Sequence, residues 1–121
     1  MPNKKTLVIG TSTNPVQYSH LAVKKLLSAG HDVEAIGREE FNIENITVGT
    51  TMSPLEGIDT VTIYLNADRQ IAYQEYILSL QPKRIIFNPG AENPSFYREA
   101  IKKGIDTVEA CTLVMLSAGT Y

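Results

Sequence analysis

The sequence predicts an α/β domain with an open, doubly wound, mostly parallel sheet of five to six strands and helices on both faces. Short β-branched runs alternate with longer segments of helical periodicity, which is the order that parallel strands and crossover helices produce. Three runs are continuous rather than alternating, as expected for strands buried on both faces: Leu7–Ile9, Val61–Leu65 and Ile85–Phe87. The length of 121 residues is that of one domain, covering residues 1–121.

Five segments are candidate strands. They are Thr6–Gly10, Asp32–Ile36, Asp59–Leu65, Lys83–Asn88 and Ile105–Glu109. A sixth, short strand is a candidate at Thr50–Met52. It falls within residues 38–58, where the pattern is irregular and predicts no definite conformation.

Two helices are predicted in the first part of the chain. The first covers Ser19–Ala29 and ends at Gly30, which is suited to a left-handed C-terminal cap. The second covers Asp68–Leu80, with Ile71 on its apolar face, and Pro82 prevents its continuation.

Two further helices are predicted towards the C-terminus. The third has Asn93 as its N-cap and Pro94 at its first helical position, and Ile101 is expected to face inward. The last follows a cap at Thr112 and contains the apolar run Leu113–Leu116. Because this run is apolar all round, we expect the helix to pack under the sheet edge or to be shared with another subunit.

Composition and charge exclude several classes of function. Eleven Lys and Arg against thirteen Asp and Glu give a net charge of −2, without the basic surface that nucleic-acid binding requires. The sequence shows no signal peptide and no membrane-spanning run, so we expect a cytoplasmic protein that binds no membrane. The single cysteine, Cys111, cannot form an internal disulfide, and no metal-ligand spacing occurs.

The loop after the first strand has the residues of a phosphate site. Its candidate ligand-binding residues are Gly10, Thr11, Ser12, Thr13, Asn14, Tyr18 and Ser19. Glycine permits a close turn, and backbone amides and hydroxyls precede a helix N-terminus that carries partial positive charge. This combination suits a pyrophosphate, although an ordinary capped loop between strand and helix is the alternative.

The end of the second strand indicates which nucleotide fits. The candidate residues there are Ile36, Gly37 and Arg38. The first loop lacks the three glycines of a dinucleotide fingerprint, and no acidic residue follows the second strand to hold ribose hydroxyls. An arginine at this place favours a 2′- or 3′-phosphorylated adenosine, while a solvated surface charge is the alternative.

Two later loops are candidates for the walls of the same cleft. Their residues are Leu65 and Asn66 after the third main strand, and Asn88, Pro89 and Gly90 after the next. The same residue types are also ordinary in turns. His20 and His31 flank the first helix without an identifiable catalytic partner, which favours a surface or capping role. Cys111 is expected to be a buried small hydrophobe rather than a nucleophile.

Several segments together resemble one family. They are Gly10–Pro15, Tyr18-Ser19, Gly49, Ser53-Pro54-Leu55, Asn88–Ala91 and Glu109–Thr112. In this order they are similar to the small stand-alone CoA-binding domain proteins, which resemble the CoA-binding half of the succinyl-CoA synthetase α subunit. The resemblance covers nearly the whole chain and implies a Rossmann-like fold that holds coenzyme A at the carboxyl ends of the strands.

The resemblance also implies a role for each candidate residue. It places the phosphate loop on Gly10, Thr11, Ser12 and Asn14, the adenosine contacts on Ile36, Gly37 and Arg38, and a wall of the site on Leu65 and Asn66. Many relatives have Asn-Pro and a basic residue where this chain has Gly37-Arg38. The synthetase carries its phosphohistidine on a second domain that this sequence lacks, so ligase activity does not transfer.

The sequence therefore predicts binding of coenzyme A or an acyl-CoA without an evident catalytic constellation. Two alternatives stay open. One is an enzyme that uses NADP or a nucleotide sugar in the same crevice. The other is an interaction protein whose apolar segment Leu113–Leu116 forms a homo-oligomer or binds a larger protein partner.

Overall fold

One sheet of seven strands runs through the computed structural model, which describes residues 2–121. The strands are β1 (Thr6–Thr11), β2 (Val33–Gly37), β3 (Phe41–Ile43), β4 (Ile46–Gly49), β5 (Thr60–Ile63), β6 (Arg84–Phe87) and β7 (Asp106–Glu109). Their order across the sheet is β3-β4-β2-β1-β5-β6-β7, and every neighbouring pair is parallel except β3 with β4. The predicted fold class is confirmed, with one strand more than expected.

The additional strands form a hairpin that the sequence pattern concealed. β3 and β4 are short and are joined through Glu44, which has a left-handed φ of 53°. Its apolar residues, Phe41, Ile43, Ile46 and Val48, alternate with polar ones and join one core layer, but strands of three and four residues are too short for the alternation to stand out. The predicted strand at Thr50–Met52 is wrong, since those residues lie in the exposed connection beyond β4.

Five helices occur among residues 2–121. They are α1 (Tyr18–Ser28), α2 (Ala67–Gln70), α3 (Gln74–Ser79), α4 (Pro94–Lys102) and α5 (Thr112–Ala118). The Asn93 side chain caps α4 by accepting a hydrogen bond from the Phe96 amide, and Pro94 opens the helix as predicted. Ile101, expected to face inward, is 60% exposed because the buried stripe of α4 runs through Phe96 and Ala100.

The predicted helix Asp68–Leu80 is broken into α2 and α3 by a 3₁₀ turn at Ile71–Tyr73. The break follows Gln70, whose side chain is completely buried. Its Nε2 donates to the carbonyls of Leu65 at 2.8 Å and Ala91 at 2.7 Å, and its Oε1 accepts from Asn93 at 2.9 Å. These tertiary bonds fix the orientation of α2 and leave Ile71 69% exposed instead of on the predicted apolar face.

Two apolar layers cover the two faces of the sheet. On one face, α1 and α5 pack around Val8, with Val23 and Leu26 from α1 and Leu116 from α5. On the other, α3 and α4 pack on Leu7, Ile9 and Phe87 together with Leu55 of the crossover between β4 and β5. α5 thus packs against the body of the sheet and α1, and its most exposed apolar side chain is Val114.

The order of the strands reverses next to β1. The chain passes from β1 to β2 on one side, and after β4 it crosses back to β5 on the other side. The carboxyl end of β1 is therefore the switch point, where open α/β sheets leave a crevice between loops that diverge in opposite directions.

Candidate functional site

A cleft of about 270 Å³ opens at the carboxyl ends of β1, β2 and β5. It is lined by Gly10, Thr11, Ser12, Thr13, Gly37, Arg38, Glu39, Tyr64, Leu65, Arg69 and Tyr73. A wider depression of about 600 Å³ lies at the amino ends of β6 and β7, beside Lys83 and Ile105. The smaller cleft is the candidate site because it alone of these two lies at the switch point and contains arginine side chains.

Two glycines bring backbone to the floor of the cleft. Gly10 has a φ of 91° and lies where the pairing of β1 with β2 shifts register, between Ile9 and Thr11. At Gly37 an added Cβ would lie 2.3 Å from the carbonyl oxygen of Thr11. No side chain fits at Gly37 unless the two strands separate, so the floor of the cleft is formed by backbone.

The loop after β1 is held by hydrogen bonds among its own residues. The amide of Ser12 donates to Ser19 Oγ at 3.0 Å, and the amide of Asn14 donates to Ser12 Oγ at 3.0 Å. The amides of Val16 and Gln17 donate to the side-chain and backbone oxygens of Asn14, both at 3.1 Å. Within the described part of the chain, Thr13 is the loop residue whose amide has no protein acceptor.

The His20 side chain, in α1, also holds this loop in place. Its ring is buried, and Nδ1 lies 2.8 Å from the Ser12 carbonyl oxygen, which identifies Nδ1–H as the donor because a carbonyl only accepts. The ring also stacks on Phe41 with centroids 6.0 Å apart. A surface position is therefore wrong, and His20 does not cap the helix either, since the α1 N-cap, Gln17, lies outside this bond and has no side-chain cap hydrogen bond.

Two arginines line the cleft from opposite sides of β1. Arg38 follows β2, and Arg69 lies in α2 after β5. Both are exposed, and the ion pairs formed by residues 2–121, Lys5 with Glu34 and Lys102 with Glu99, include neither of them. Two cationic groups without protein carboxylate partners make this cleft a favourable place for an anionic ligand.

The structure brings only part of the predicted site residues to the cleft. Gly10, Thr11, Ser12, Thr13, Gly37, Arg38 and Leu65 line the cleft. Asn14, Ser19 and Asn66 are not in the lining, and their side chains accept hydrogen bonds that shape the loops beside the cleft. Tyr18 is 60% exposed, Ile36 belongs to the core, and Asn88, Pro89 and Gly90 follow β6 outside the cleft lining.

Asn88 has a structural role in this arrangement. Its side chain is buried, and Nδ2 donates to Thr62 Oγ1 at 2.7 Å and to the Ile63 carbonyl at 2.9 Å. Its Oδ1 accepts from the Thr112 amide at 2.9 Å. Asn88 thereby joins the end of β5 to the start of α5, and its polar atoms are already engaged within the protein.

Four lining residues are not among the predicted ones: Glu39, Tyr64, Arg69 and Tyr73. Tyr64 was assigned to a strand that in fact ends at Ile63, so its ring leaves the sheet at the cleft. Its hydroxyl is buried beside Thr62 and Thr112 without a well-formed hydrogen bond among the described residues, and burial raises its pKa. The Asn66 side chain caps α2 by accepting a hydrogen bond from the Arg69 amide. A basic residue three positions after such a cap is the sequence signal that could have identified Arg69.

Residues 2–121 show no sign of a metal site or of a membrane-spanning helix. No group of three or more His, Cys, Asp or Glu side chains in that range could hold a metal ion. None of the helices there combines the length and apolar character that spanning a bilayer requires. Cys111 is half-buried directly before α5, so it is less enclosed than the sequence suggested.

A mostly parallel, doubly wound sheet with a basic cleft at its switch point defines a Rossmann-like domain. The family model described as "CoA binding domain" matches residues 4–117. The chain therefore belongs to the CoA-binding domain family, and the family assignment made from the sequence is confirmed. No curated protein matches the sequence.

Solved structures agree with this assignment at the level of the fold. The crystal structure of an uncharacterized protein has 43% identity and a TM-score of 0.96, with both chains covered over 100% of their length. A protein from Thermus thermophilus, at 16% identity, has a TM-score of 0.86 over 98% of this chain and 91% of its own. A dinucleotide-forming acetyl-coenzyme A synthetase from Ca. Korarchaeum cryptofilum, in complex with phosphate and ADP, matches with 14% identity and a TM-score of 0.73 over 88% of this chain and 25% of its own.

Proposed function

We propose that the protein binds coenzyme A or an acyl-CoA in the cleft at the carboxyl ends of β1, β2 and β5. The observation that carries the proposal is Arg38, an arginine without a protein carboxylate partner at the mouth of a cleft in a CoA-binding family member. It follows Gly37, where the Thr11 carbonyl leaves no room for a side chain and the floor of the cleft is therefore backbone. In this proposal the Arg38 guanidinium binds the 3′-phosphate of the ligand.

The volume of the cleft indicates which part of coenzyme A it encloses. Pockets that bury drug-sized ligands have volumes of about 300–1,000 Å³. At about 270 Å³ this cleft lies just below that range. We therefore place the nucleotide end of coenzyme A inside it, with Leu65 and Tyr73 as apolar contacts, and the pantetheine arm along the open surface.

The composition of the cleft supports binding rather than acid–base catalysis. Its lining contains neither histidine nor cysteine, and its one carboxylate is Glu39, which is exposed. General acid–base catalysis at neutral pH typically uses a histidine or a carboxyl group whose pKa burial has shifted. The proposed protein therefore holds or carries coenzyme A without an evident reaction of its own.

Calorimetric titration of the purified protein with CoA, dephospho-CoA, NADP and NAD at one salt concentration tests the proposal. We expect CoA to bind and dephospho-CoA to bind more weakly, because it lacks the 3′-phosphate. Replacing Arg38 with glutamine is expected to weaken CoA roughly 10- to 100-fold, the equivalent of about 1.5–3 kcal/mol for a charge-assisted hydrogen bond.

The matched control is Arg98→Gln, which removes an exposed arginine from α4 outside the cleft lining. It should leave the affinity for CoA unchanged. Failure of all four ligands to bind would overturn the proposal. Preferential binding of NADP over CoA would instead favour a nicotinamide-dependent enzyme.

A further inference from the structure

We infer that Arg69 is the residue that binds the pyrophosphate of the ligand, while the loop after β1 supplies shape and only a small part of the hydrogen bonding. The inference rests on the proposed function and deepens it. It departs from the sequence-based expectation, in which the loop amides hold the pyrophosphate. Most N–H donors of this loop are already used within the protein.

A backbone cradle for phosphate requires N–H groups that are free to point at the ligand. Between residues 12 and 17 five residues carry an amide hydrogen, since Pro15 has none. Four of these amides donate to Ser19, Ser12 and Asn14 oxygens within the protein. The Thr13 amide and the first turn of α1 remain for an anion, but residues 12–21 contain no Lys or Arg to balance the charge of a pyrophosphate.

Using the loop amides would require breaking bonds that hold the loop together. The Ser12 carbonyl is fixed by His20 and the Ser12 amide by Ser19, and both of these partners are buried in α1. Each amide turned towards a ligand would leave a hydroxyl, carboxamide or backbone carbonyl oxygen without its donor. The loop is therefore built to keep its own conformation.

Arg69, by contrast, is a free donor on a fixed backbone. Its own amide donates to Asn66 Oδ1 at 3.0 Å, which caps α2. The next residue, Gln70, is pinned by two carbonyls through its buried side chain. The guanidinium thus extends from a short helix anchored on both sides, and this reduces the entropy lost on binding a phosphate.

In this inference the two arginines bind two separate phosphate groups of one ligand. β2 and β5 flank β1 on opposite sides, so their carboxyl ends lie about 10 Å apart, twice the spacing of neighbouring strands. Arg38 and Arg69 therefore approach a ligand from opposite walls of the cleft. A 3′-phosphorylated adenosine diphosphate ester has phosphate at both places, whereas dephospho-CoA and ADP have only the pyrophosphate.

The test compares Arg38→Gln, Arg69→Gln and the control Arg98→Gln in titrations with CoA, dephospho-CoA and ADP. Arg69→Gln should weaken CoA, dephospho-CoA and ADP by the same factor, roughly 10- to 100-fold. Arg38→Gln should weaken CoA and leave the other two ligands nearly unchanged. Arg69→Lys, which keeps the charge but loses the planar fork, should recover part of the affinity.

Different failures have different meanings. If the wild-type protein binds CoA and Arg69→Gln binds it equally well, the inference is overturned and the proposed function stands. A loss confined to CoA would assign the 3′-phosphate to Arg69 and also overturn it. If the wild type binds none of the ligands, the proposed function itself fails. Thermal unfolding of each variant verifies that the protein is folded, which we expect because both arginines are exposed.

Discussion

The two ends of the sheet use the same kinds of residue in opposite ways. At the amino end, Arg84 lies with its guanidinium 4.4 Å from the centroid of the Tyr121 ring and donates to Thr60 Oγ1 at 3.1 Å. Lys4 donates to the Tyr121 carbonyl at 2.7 Å, and the Tyr121 hydroxyl bonds to Thr6. At the carboxyl end, Arg38 and Arg69 are exposed and have no carboxylate partner among the described residues.

This difference separates stability from binding. Cations at the amino end contact an aromatic ring and protein oxygens, so they hold the C-terminal residue against the sheet, although Arg84 Nη2 is buried without a hydrogen-bond partner among the described residues. Cations at the carboxyl end are left for an external anion, and the protein gains no internal contact from them. Mutations at the first end should change unfolding without changing affinity, and mutations of the arginines at the second should do the reverse.

The largest effect is expected for Tyr121→Ala at the amino end. Its buried ring contacts His31 edge-on at 5.0 Å and also carries the Arg84 guanidinium. Removing a buried aromatic side chain costs roughly 3 kcal/mol or more, because contacts are lost and a cavity is left. We expect urea unfolding to shift by about this amount, while the affinity of the folded protein for CoA stays unchanged.

Tyr121→Phe is the matched control for this variant. It keeps the ring and removes the hydroxyl that bonds to Thr6, so the loss should be only about 1 kcal/mol. Equal losses for the two variants would show that the ring contributes nothing beyond its hydroxyl. A fall in CoA affinity for either one would contradict the separation of the two ends.

The next largest effect is expected at Gly37, where one substitution should lower both the stability of the protein and its affinity for CoA. In Gly37→Ala the new Cβ lies 2.3 Å from the Thr11 carbonyl oxygen, so β1 and β2 must separate at the floor of the cleft. Overpacking of this kind costs about 1–3 kcal/mol. We expect a loss of stability in that range in urea unfolding, together with a loss of CoA binding in calorimetry.

Gly49→Ala provides the control, because an added Cβ there meets nothing within 4 Å. Gly49 lies in β4 and pairs with Ile36 of β2, one position before Gly37. Its replacement should leave stability unchanged or raise it slightly, since glycine is unfavourable in a strand. A Gly37→Ala protein as stable as Gly49→Ala would mean that the close approach of β1 to β2 is unimportant.

Much of the fold could be predicted because the deciding signals are local. The continuous runs Leu7–Ile9 and Ile85–Phe87 indicated buried parallel strands, and Asn93-Pro94 marked the start of α4. The break after Gln70 could not be predicted, because it depends on bonds to Leu65 and Ala91, which only the folded chain brings together. Tertiary contacts there override a sequence pattern of helical period.

The candidate site was partly predictable for a related reason. Arg38 was identified from its place directly after a strand, and the structure puts it in the cleft. The role of Ser12, Asn14 and Ser19 could not be decided, since the hydroxyl and carboxamide groups that bind phosphate also cap loop amides. Arg69 was not predicted because it falls inside the predicted helix Asp68–Leu80, beyond Leu65 and Asn66, which were the residues proposed for this wall of the cleft.

The smallest expected effect is a pH dependence at the amino end. His31 is buried, and its Nδ1 accepts a hydrogen bond from the Lys4 amide at 2.9 Å, which only the neutral ring can do. Burial, and then the positive charges of Lys4 and Arg84, lower the His31 pKa from its ordinary 6.5, while Asp59 opposes them. The unfolded chain therefore binds a proton more readily than the folded one.

The sign of the dependence follows from this difference. His31 contributes stability that is fully present above pH 6.5 and is lost as the pH falls from that value towards the lowered pKa of the folded state. His31→Gln replaces the ring with a group that does not titrate, so the stability difference between wild type and variant should shrink from pH 7.5 to pH 5.5 in urea unfolding. A difference that is constant or grows on acidification would show that the folded protein accepts the proton as easily as the unfolded chain. Titration of CoA over the same interval should show no matching change, because His31 lies at the end of the sheet opposite Arg38 and Arg69.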